Sequence, residues 1–282
     1  MIEHSFPGHL VQDAIEEALV EDLGRAGDIT SNAVIAPDET MSASICAREN
    51  GVIAGLPLAI AALKTVDPSI RLGKKVSDGT KVRTGDVLLM IEGKSRSVLA
   101  AERVALNYLG HLSGIASLTR QFAEKVEGTG AAICCTRKTL PGLRAFQKYA
   151  VRAGGGQNHR FGLDDAVLIK DNHIASAGGI KNVLDKVKKH MGHMVRVEIE
   201  VDTLEQLHEV MEYKIDAVLL DNMSLKILQK AVSIIDGRAI AEASGGISLD
   251  TIRTIAETGV DLISVGALTH SAKVLDLGLD YR

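Results

Sequence analysis

Cationic side chains are concentrated between positions 137 and 173, where seven Lys and Arg residues stand against three Asp residues. Three of these cations come directly after predicted apolar strands: Arg137, Lys138 and Lys170. At such positions the chain leaves the core of a parallel sheet, so we expect these three to act in a site. Arg binds carboxylates and phosphates through two hydrogen bonds and Lys acts as a point charge. The cluster therefore predicts a small polyanionic ligand.

Three further cations are spaced four residues apart on a predicted helix that ends at Gly154: Arg144, Lys148 and Arg152. They share one helix face, which either binds a ligand or is a solvated charged face. The run Gly154–Gly156 after the helix would let the backbone approach a ligand closely, although a flexible loop has the same composition. Both alternatives stay open on the sequence alone.

Carboxylates lie at the ends of two further predicted strands. In VRVEIEV, Glu198 and Glu200 lie on one face of a strand because successive side chains alternate, and Asp221 ends the strand that follows. Carboxylates beside a phosphate site suggest Mg²⁺, which uses one or two carboxylates together with substrate phosphate oxygens. For Glu198 we favour pairing with nearby Arg and Lys side chains. His159, in a basic and Gly-rich setting, is interpreted as a ligand contact rather than a buried structural histidine.

Glycine-containing turns follow the last two predicted strands. AEASGGIS and SVGALTHS place Ser244–Gly246 and Gly266 ahead of predicted helix starts, where backbone N–H groups and the helix dipole favour a phosphate. Asp171, directly after Lys170, is a further candidate at a strand end. The motifs H-E-x-x-H, C-x-x-C and G-x-S-x-G do not occur, so zinc and serine hydrolases have no support.

The elements that must position these residues begin after Gly130, where apolar strands alternate with amphipathic helices. Strands are predicted over 131–135, 166–170, 196–201, 217–221, 239–243 and 261–265. Helices are predicted over 143–153, 180–190, 204–213, 225–235 and 249–258. This alternation indicates βαβ units and a parallel sheet. We favour a barrel over a doubly wound sheet because candidate residues recur at the carboxyl ends of the strands, and six strands make the barrel incomplete.

The N-terminal third has a mixed α/β pattern. Helices are predicted over 11–23, 56–66 and 97–126, a strand over 41–52, and two short strands within 76–93. The last segment is similar to the hairpins of lipoyl and biotinyl carriers, which would make the protein a carrier module. No Lys stands at a hairpin tip in the context that such modification uses, so we interpret these strands as structural.

Composition excludes several classes of function. The formal net charge of the 282 residues is −4, whereas nucleic acids and anionic membranes require a basic surface. The three cysteines include two adjacent ones and predict a reducing, cytoplasmic location. The opening MIEHSFPGHL lacks the features of a signal peptide, and the longest apolar run, from Val52 to Leu63, is too short to cross a membrane.

The segment TRKTLPGLRAFQKYAVRAGGGQNHRFGLDDAVLIKDNHI, from Thr136 to Ile174, resembles the quinolinate phosphoribosyltransferase family, also called nicotinate-nucleotide pyrophosphorylase (carboxylating). EDLGRAGDIT, AERVALNYLGHLSGIA, VEIEVDTLEQL, LLDNM, EASGGI and ISVGALTHSAKVLDLGLD extend the resemblance over nearly the whole chain. It implies Mg²⁺-dependent phosphoribosyl transfer from phosphoribosyl pyrophosphate to quinolinate with decarboxylation. The products would be nicotinate mononucleotide, pyrophosphate and CO₂, in NAD biosynthesis.

The resemblance also implies a fold and an assembly. An N-terminal, hammerhead-like α/β sandwich would span 1–113, an incomplete α/β barrel would span 114–270, and the tail 271–282 would return to the first domain. The family forms homodimers in which an Arg of the bridging helix reaches the partner subunit's site, and here that residue is Arg103. A hexamer built from such dimers is the alternative.

Carried over by motif, the family's roles fall on named residues of this chain. The quinolinate carboxylates would be bound by Arg137, His159, Arg160 and Lys170. Lys138 would lie between quinolinate and pyrophosphate, and Glu200 and Asp221 would act near the ribose hydroxyls and Mg²⁺. The 5-phosphate would be held by Ser244, Gly245 and Gly266. The chain departs from the family's frequent residues at Cys135, where Asp is common, and at Gln157, where His is common.

Other functions remain as alternatives. The nearest is a molybdenum-transport-associated paralogue of the same fold, whose substrate the sequence does not name. A Schiff-base aldolase that uses Lys170 is a second, and the carrier module is a third.

Overall fold

The computed structural model describes residues 8–281. Residues 1–7, part of the segment on which the absence of a signal peptide was judged, and Arg282 lie outside the described residues. The chain folds into two compact units. Unit 1 comprises 8–120, Ala145–Gly155 and 271–281, and unit 2 comprises Gln121–Arg144 and Gly156–His270.

The helices and strands are numbered in chain order. The helices are α1 (Gly8–Leu23), α2 (Ile29–Val34), α3 (Leu56–Val66), α4 (Ser95–Val126), α5 (Arg144–Ala153), α6 (Asp171–Ala177), α7 (Ile180–His190), α8 (Leu204–Val210), α9 (Leu225–Ile235), α10 (Ile252–Ala256) and α11 (Ala267–His270). The strands are β1 (Thr40–Ala47), β2 (Gly51–Val52), β3 (Arg71–Lys75), β4 (Lys81–Val82), β5 (Val87–Lys94), β6 (Ala132–Cys134), β7 (Val167–Ile169), β8 (Val197–Val201), β9 (Ala217–Asp221), β10 (Ile240–Ser244), β11 (Leu262–Ser264) and β12 (Leu277–Tyr281).

Unit 1 is built on a four-stranded sheet in the order β12-β1-β5-β3, in which each pair of neighbouring strands is antiparallel. Strand β1 is buried over most of its length: Met41, Ala43, Ile45 and Ala47 form an apolar face, and the small side chains of Ser44 and Cys46 on the other face are buried as well. The single strand predicted over 41–52 is instead two, because the polar run Arg48–Asn50 leaves the first sheet and β2 pairs with β4 in a separate ribbon. Of the described helices, none has both the length and the apolar composition to span a bilayer, not even the 32-residue α4.

The tail of unit 1 lies directly against the α4 backbone. A Cβ atom at Gly114 would lie 2.0 Å from the carbonyl oxygen of Lys273, so only glycine fits at this position of the helix. The Leu275 N–H donates to the carbonyl of Gly110 at 3.0 Å, and β12 then pairs with β1. The glycines of LNYLGHLSGIA therefore serve close packing.

The division differs from the predicted boundary between residues 113 and 114. Residues 114–120 belong to unit 1, where the Ser117 hydroxyl of α4 accepts the Val52 N–H at 2.8 Å. Most of α5 belongs there as well: Gln147 contacts the His111 ring at 2.9 Å, and the Tyr149 hydroxyl donates to Asp78 at 2.5 Å. Asp78 in turn accepts from the N–H groups of Gly55 and Leu56 at the start of α3.

Unit 2 is a parallel six-stranded sheet in the order β6-β11-β10-β9-β8-β7. A parallel bridge between Cys134 and Gln157 adds a further contact on the open side of β6. This arrangement confirms the incomplete parallel α/β barrel. The bounds of β9, α7 and α9 agree with those predicted, whereas α10 is shorter and α6 and α11 are additional.

Candidate active site

A cavity of about 720 Å³ lies at the carboxyl ends of the strands of unit 2. Ten of the eleven predicted site residues line it: Arg137, Lys138, His159, Arg160, Lys170, Glu200, Asp221, Ser244, Gly245 and Gly266. All except His159 and Arg160 lie at or directly beyond the carboxyl end of one of the six strands. Because parallel strands present these ends at one edge, residues far apart in sequence meet there.

The sheet order sorts the cavity wall into three chemical parts. Strands β8 and β9 are neighbours and carry the carboxylates Glu200 and Asp221. Strands β10 and β11 are also neighbours and lead into the glycine-containing turns at Ser244–Gly246 and Gly266. The cations follow β6 and β7, the two ends of the open sheet. A bound molecule would thus meet cations, acids and backbone N–H groups on separate parts of the wall.

Two guanidinium groups are poorly neutralised by the protein. The Nε atoms of Arg137 and Arg160 are buried, and neither has a hydrogen-bond partner among the described residues. Burial, followed by the like charge of Arg137, lowers the pKa of Arg160. One Nη of Arg160 donates to the carbonyl of Ala166 at 2.9 Å, which fixes the side chain. Two fixed, adjacent cations with unused donors are suited to a ligand that carries two carboxylates.

Lys170 and Glu200 form an ion pair within the cavity. Lys170 Nζ lies 2.5 Å from Glu200 Oε2, and the two side chains are 46% and 13% exposed. The pairing agrees with their positions on the adjacent strands β7 and β8. A ligand that takes the Lys170 charge would have to share it with Glu200 or displace that carboxylate.

Lys138 is positioned by the turn that contains Gly266. The Thr269 hydroxyl donates to the carbonyl of Lys138 at 2.8 Å and so fixes the backbone there. A Cβ atom at Gly266 would lie 3.0 Å from Lys138 Cδ and 3.3 Å from His270 Nε2. The glycine therefore makes room for the Lys138 side chain, which lines the cavity.

Both glycine-containing turns were predicted to lie ahead of a helix, and they differ in their distance from it. α10 begins at Ile252, six residues after Gly246, and only Gly266 is followed at once by a helix, the four-residue α11. Gly245 and Gly246 have φ of +95° and +62°, conformations that glycine adopts without strain. Any phosphate held here would bind to loop N–H groups rather than to a helix end.

A buried cluster of His159, Glu198 and Glu242 lies at the cavity. His159 Nε2 is 2.9 Å from Glu198 Oε2 and 3.7 Å from Glu242 Oε1. The prediction that Glu198 pairs with Arg or Lys is wrong, since its close side-chain partner among the described residues is the His159 ring. His159 lines the cavity as predicted, but its Nε2 is directed at the two carboxylates.

The protonation of this cluster follows from its contacts. His159 Nδ1 accepts the backbone N–H of Arg160 at 2.8 Å, so Nε2 carries the ring proton and donates it to Glu198. The three side chains could surround a cation, with ligand atoms within 4.8 Å of one another, but a protonated Nε2 cannot ligate it. Burial, followed by the charge of Glu198, raises the pKa of Glu242 to about 7. The cluster is therefore a hydrogen-bonded group that shares protons.

Arg103 is the predicted site residue outside this cavity. It is exposed on α4, with its guanidinium 3.8 Å from Glu102, and it lines a separate cavity of about 420 Å³ in unit 1 together with Leu106 and Val274. Asp171 is likewise absent from the lining of the large cavity: it is exposed at the start of α6, where its carboxylate accepts the Asn172 N–H.

The cationic stripe of α5 does not line the large cavity either, which argues against its ligand-binding alternative. Arg144 donates to the Thr139 hydroxyl and to the carbonyl of Phe161, so it braces the loops of unit 2. Lys148 is only 2% exposed, whereas Arg152 is exposed. The simple alternative of one solvated face is therefore also wrong.

Among the lining residues that were not identified from the sequence, three carry a carboxyl, amide or imidazole group: Glu242, Asn222 and His270. Glu242 could have been found, since an acid two positions before Ser244 in the apolar strand β10 must share its face. Asn222 directly follows Asp221 and has no comparable pattern around it. His270 ends the short helix α11, for which the sequence pattern predicts a start after Gly266 but no end.

Comparison with known proteins identifies the family of this chain and agrees with its fold. Residues 28–113 match the N-terminal domain of quinolinate phosphoribosyl transferase, and residues 115–280 match its C-terminal domain. A nicotinate-nucleotide pyrophosphorylase (carboxylating) from Mycobacterium leprae is 45% identical, over 95% of this chain and 96% of its own length. A quinolinate phosphoribosyltransferase (decarboxylating) from Nicotiana tabacum is 42% identical, over 97% of this chain and 83% of its own.

A solved structure gives the same result in three dimensions. The nicotinate-nucleotide pyrophosphorylase of Francisella tularensis superposes with a TM-score of 0.95 at 40% identity, over 99% of this chain and 98% of its own. Both domain matches, the curated relatives and this structure agree along nearly the whole length. The chain belongs to the quinolinate phosphoribosyltransferase family.

Proposed function

We propose that this chain transfers the phosphoribosyl group of phosphoribosyl pyrophosphate to the ring nitrogen of quinolinate and removes the adjacent carboxylate as CO₂. The products are nicotinate mononucleotide, pyrophosphate and CO₂, a step of NAD biosynthesis. Family membership supports the proposal, and one observation of the site carries it: two guanidinium groups, whose buried Nε donors have no partner among the described residues, adjoin a wall of carboxylates and glycine turns.

Quinolinate binds at the cationic part of the wall. Its two carboxylates match the paired guanidinium groups of Arg137 and Arg160, and Lys170 adds a third charge. His159 lies beside Arg160 and fixes its backbone through the Nδ1 contact. Binding a dianion here neutralises the repulsion that lowers the pKa of Arg160.

Phosphoribosyl pyrophosphate binds along the remaining wall. The loop N–H groups and hydroxyl of Ser244, Gly245 and Gly266 hold the 5-phosphate, since glycine turns let the backbone approach an anion closely. Asp221 and Glu200 lie near the ribose hydroxyls. Lys138, between the cationic part and the Gly266 turn, meets the pyrophosphate.

The donor set suits Mg²⁺. Glu200 and Asp221 supply the hard carboxylate oxygens that Mg²⁺ takes together with substrate phosphate oxygens. Each has one carboxylate oxygen engaged, Glu200 with Lys170 and Asp221 with Asn222 at 2.6 Å, so each keeps a second oxygen for the ion. When bound, the ion would neutralise charge on the departing pyrophosphate.

The reaction then follows from positioning and charge. The quinolinate nitrogen attacks C1 of the ribose while the bond to pyrophosphate breaks, and Lys138 stabilises the negative charge of the leaving group. The Glu200 and Asp221 carboxylates favour the positive charge that develops on the ribosyl group. The pyridinium so formed stabilises the electron pair left on the ring carbon when CO₂ departs, and a proton from water takes the place of the carboxylate.

The active assembly is a homodimer in which Arg103 reaches the partner subunit's site, with a hexamer of such dimers as the alternative. Arg103 is exposed on α4 and is not among the residues that line the cavity of unit 2, which supports this proposal. A cytoplasmic location is supported by the small number of cysteines, three in all, of which two are adjacent in sequence.

The purified chain incubated with quinolinate, phosphoribosyl pyrophosphate and Mg²⁺ should form nicotinate mononucleotide and CO₂ in equal amounts. Nicotinate is the matched comparison substrate, because it lacks the second carboxylate and should be used poorly. A chain that forms no mononucleotide from quinolinate would contradict the proposal. No observation of the site favours the molybdenum-transport-associated alternative, the aldolase or the carrier module.

A further inference from the structure

Asn222 has an unusual backbone conformation beside the cavity. Its φ is +52°, in the left-handed region that residues with a side chain rarely occupy. Among the described residues other than glycine, one more has a positive φ: Asp236, with +48°, which ends α9. A helix end explains Asp236, because left-handed caps are common there. Asn222 instead follows Asp221 at the end of β9 and lines the cavity. Backbone strain at such a site is often tied to function.

This conformation places the side-chain amide of Asn222 between the Asp221 carboxylate and the Gly245 turn. Asn222 Nδ2 donates to Asp221 Oδ2 at 2.6 Å, which holds that carboxylate in one orientation. On the other side, the Asn222 backbone N–H donates to the carbonyl of Ser244 at 2.9 Å. The link therefore joins the ends of the neighbouring strands β9 and β10.

The same side chain lies against Gly245. A Cβ atom at position 245 would be 2.1 Å from Asn222 Oδ1 and 2.6 Å from its Cγ, far inside van der Waals contact. Gly245 thus lacks a side chain for two reasons: its own φ of +95° and the space that the Asn222 amide occupies. A side chain added at position 245 would therefore displace the Asn222 amide, and removal of that amide would open space beside Gly245.

We propose that Asn222 is a positioning residue, whose strained backbone holds one amide between the Asp221 carboxylate and the Gly245 turn so that both keep a fixed separation. The inference rests on the proposed function, in which Asp221 and Gly245 serve the phosphoribosyl substrate. The hydrogen bonds of Asn222 among the described residues join it to Asp221 and Ser244, and none joins it to the cations that bind quinolinate in that proposal. Its effect is therefore selective for one of the two substrates.

The test uses Asn222→Ala and Asn222→Gly, which both remove the amide, while glycine also relieves the backbone strain. Both variants should raise the KM for phosphoribosyl pyrophosphate at least tenfold and leave the KM for quinolinate within twofold. The glycine variant should melt no lower than the alanine variant yet show the same kinetic defect. Asp236→Gly is the matched control, since it relieves a similar backbone on an exposed helix end and should change neither KM.

Coupling to Gly245 is tested by a double-variant cycle. Gly245→Ala alone should lose activity, because its Cβ collides with the Asn222 amide. Combined with Asn222→Gly, it should lose no more than the worse single variant, whereas independent sites would multiply their losses. A multiplicative loss would overturn the link between the two residues.

A binding measurement and one further variant separate failure of the proposed function from failure of the role of Asn222. Calorimetric titration with phosphoribosyl pyrophosphate and Mg²⁺ reports substrate binding without turnover, so a parent chain that binds this substrate but forms no product refutes the proposed function alone. Variants that bind and turn over phosphoribosyl pyrophosphate like the parent overturn the role of Asn222. So does an equal rise in both KM values. If Asn222→Ala does not fold, Asn222→Asp keeps the shape but turns an oxygen toward Asp221, and it should weaken binding at least as much.

Discussion

Replacing Glu242 with Gln should make the protein more stable than the parent at alkaline pH and leave its stability nearly unchanged at acidic pH. Glu242 is 2% exposed, and burial, followed by the charge of Glu198, raises its pKa from 4.5 to about 7. The folded state therefore binds this proton more tightly than the unfolded chain does. Stability from this group is greatest below pH 4.5, falls as pH rises toward 7, and is lost above that value.

The size of the effect follows from the shift. At about 1.4 kcal/mol for each pH unit between the two pKa values, ionised Glu242 costs the folded state about 3 kcal/mol at pH 8. Glutamine keeps the shape and hydrogen-bonding capacity of the protonated acid but never ionises. Glu242→Gln should therefore match the parent near pH 4.5 and exceed its stability by up to about 3 kcal/mol at pH 8.

Urea unfolding of both proteins at several pH values between 4.5 and 8 measures this difference directly. Glu212→Gln is the control, since Glu212 is an exposed carboxylate and its replacement should leave no pH-dependent difference. The carbonyl stretch of a protonated carboxyl group, followed by infrared spectroscopy, should disappear from the parent around pH 7 and be missing in the variant. A difference between variant and parent that stays constant with pH would refute the reasoning.

Three further predictions concern other contacts. Arg137→Ala should raise the KM for quinolinate by roughly 10- to 100-fold, because a charged hydrogen bond to a carboxylate is lost. The KM for phosphoribosyl pyrophosphate should change little. Equal effects on the two KM values in steady-state kinetics would contradict this prediction. Gly266→Ala should lower kcat, because the new Cβ meets the flexible Lys138 side chain and displaces it. The free energy of unfolding should fall by less than about 1 kcal/mol. An unchanged kcat would show that turnover does not depend on the position of the Lys138 side chain. Tyr149→Phe should lower the free energy of unfolding by about 2 kcal/mol, because the hydroxyl that braces Asp78 is removed; an unaltered thermal midpoint would argue against it.

The sequence predicts the barrel well and the short polar elements poorly. Strands such as β9, AVLLD, are runs of apolar residues that have no alternative to burial, and helices such as α7 and α9 carry a clear apolar face. By contrast β3, RLGKK, has one apolar residue of moderate size, and α6, DNHIASA, has no buried residue at all. Their conformations depend on tertiary pairing, which a local pattern does not encode.

The site divides in the same way. Arg137, Lys170 and Asp221 were found because they follow apolar strands, a position visible in one dimension. The partner of Glu198 was not, because His159 lies 39 positions earlier in a loop with no periodic pattern. The role of Asn222 depends on a backbone angle and on a contact with Gly245, both of which exist only in the folded sheet.

The pairing of β12 with β1 constrains the order in which this protein can form. Residues Ala43 to Ala47 meet partners that lie beyond all of unit 2 in the chain, so their pairing closes a very long loop. During synthesis, unit 2 is complete before β12 emerges, and its parallel strands can pair while one side of β1 still lacks its partner. The exposed edge of β1 must stay protected for that interval, since unpaired strand edges promote aggregation.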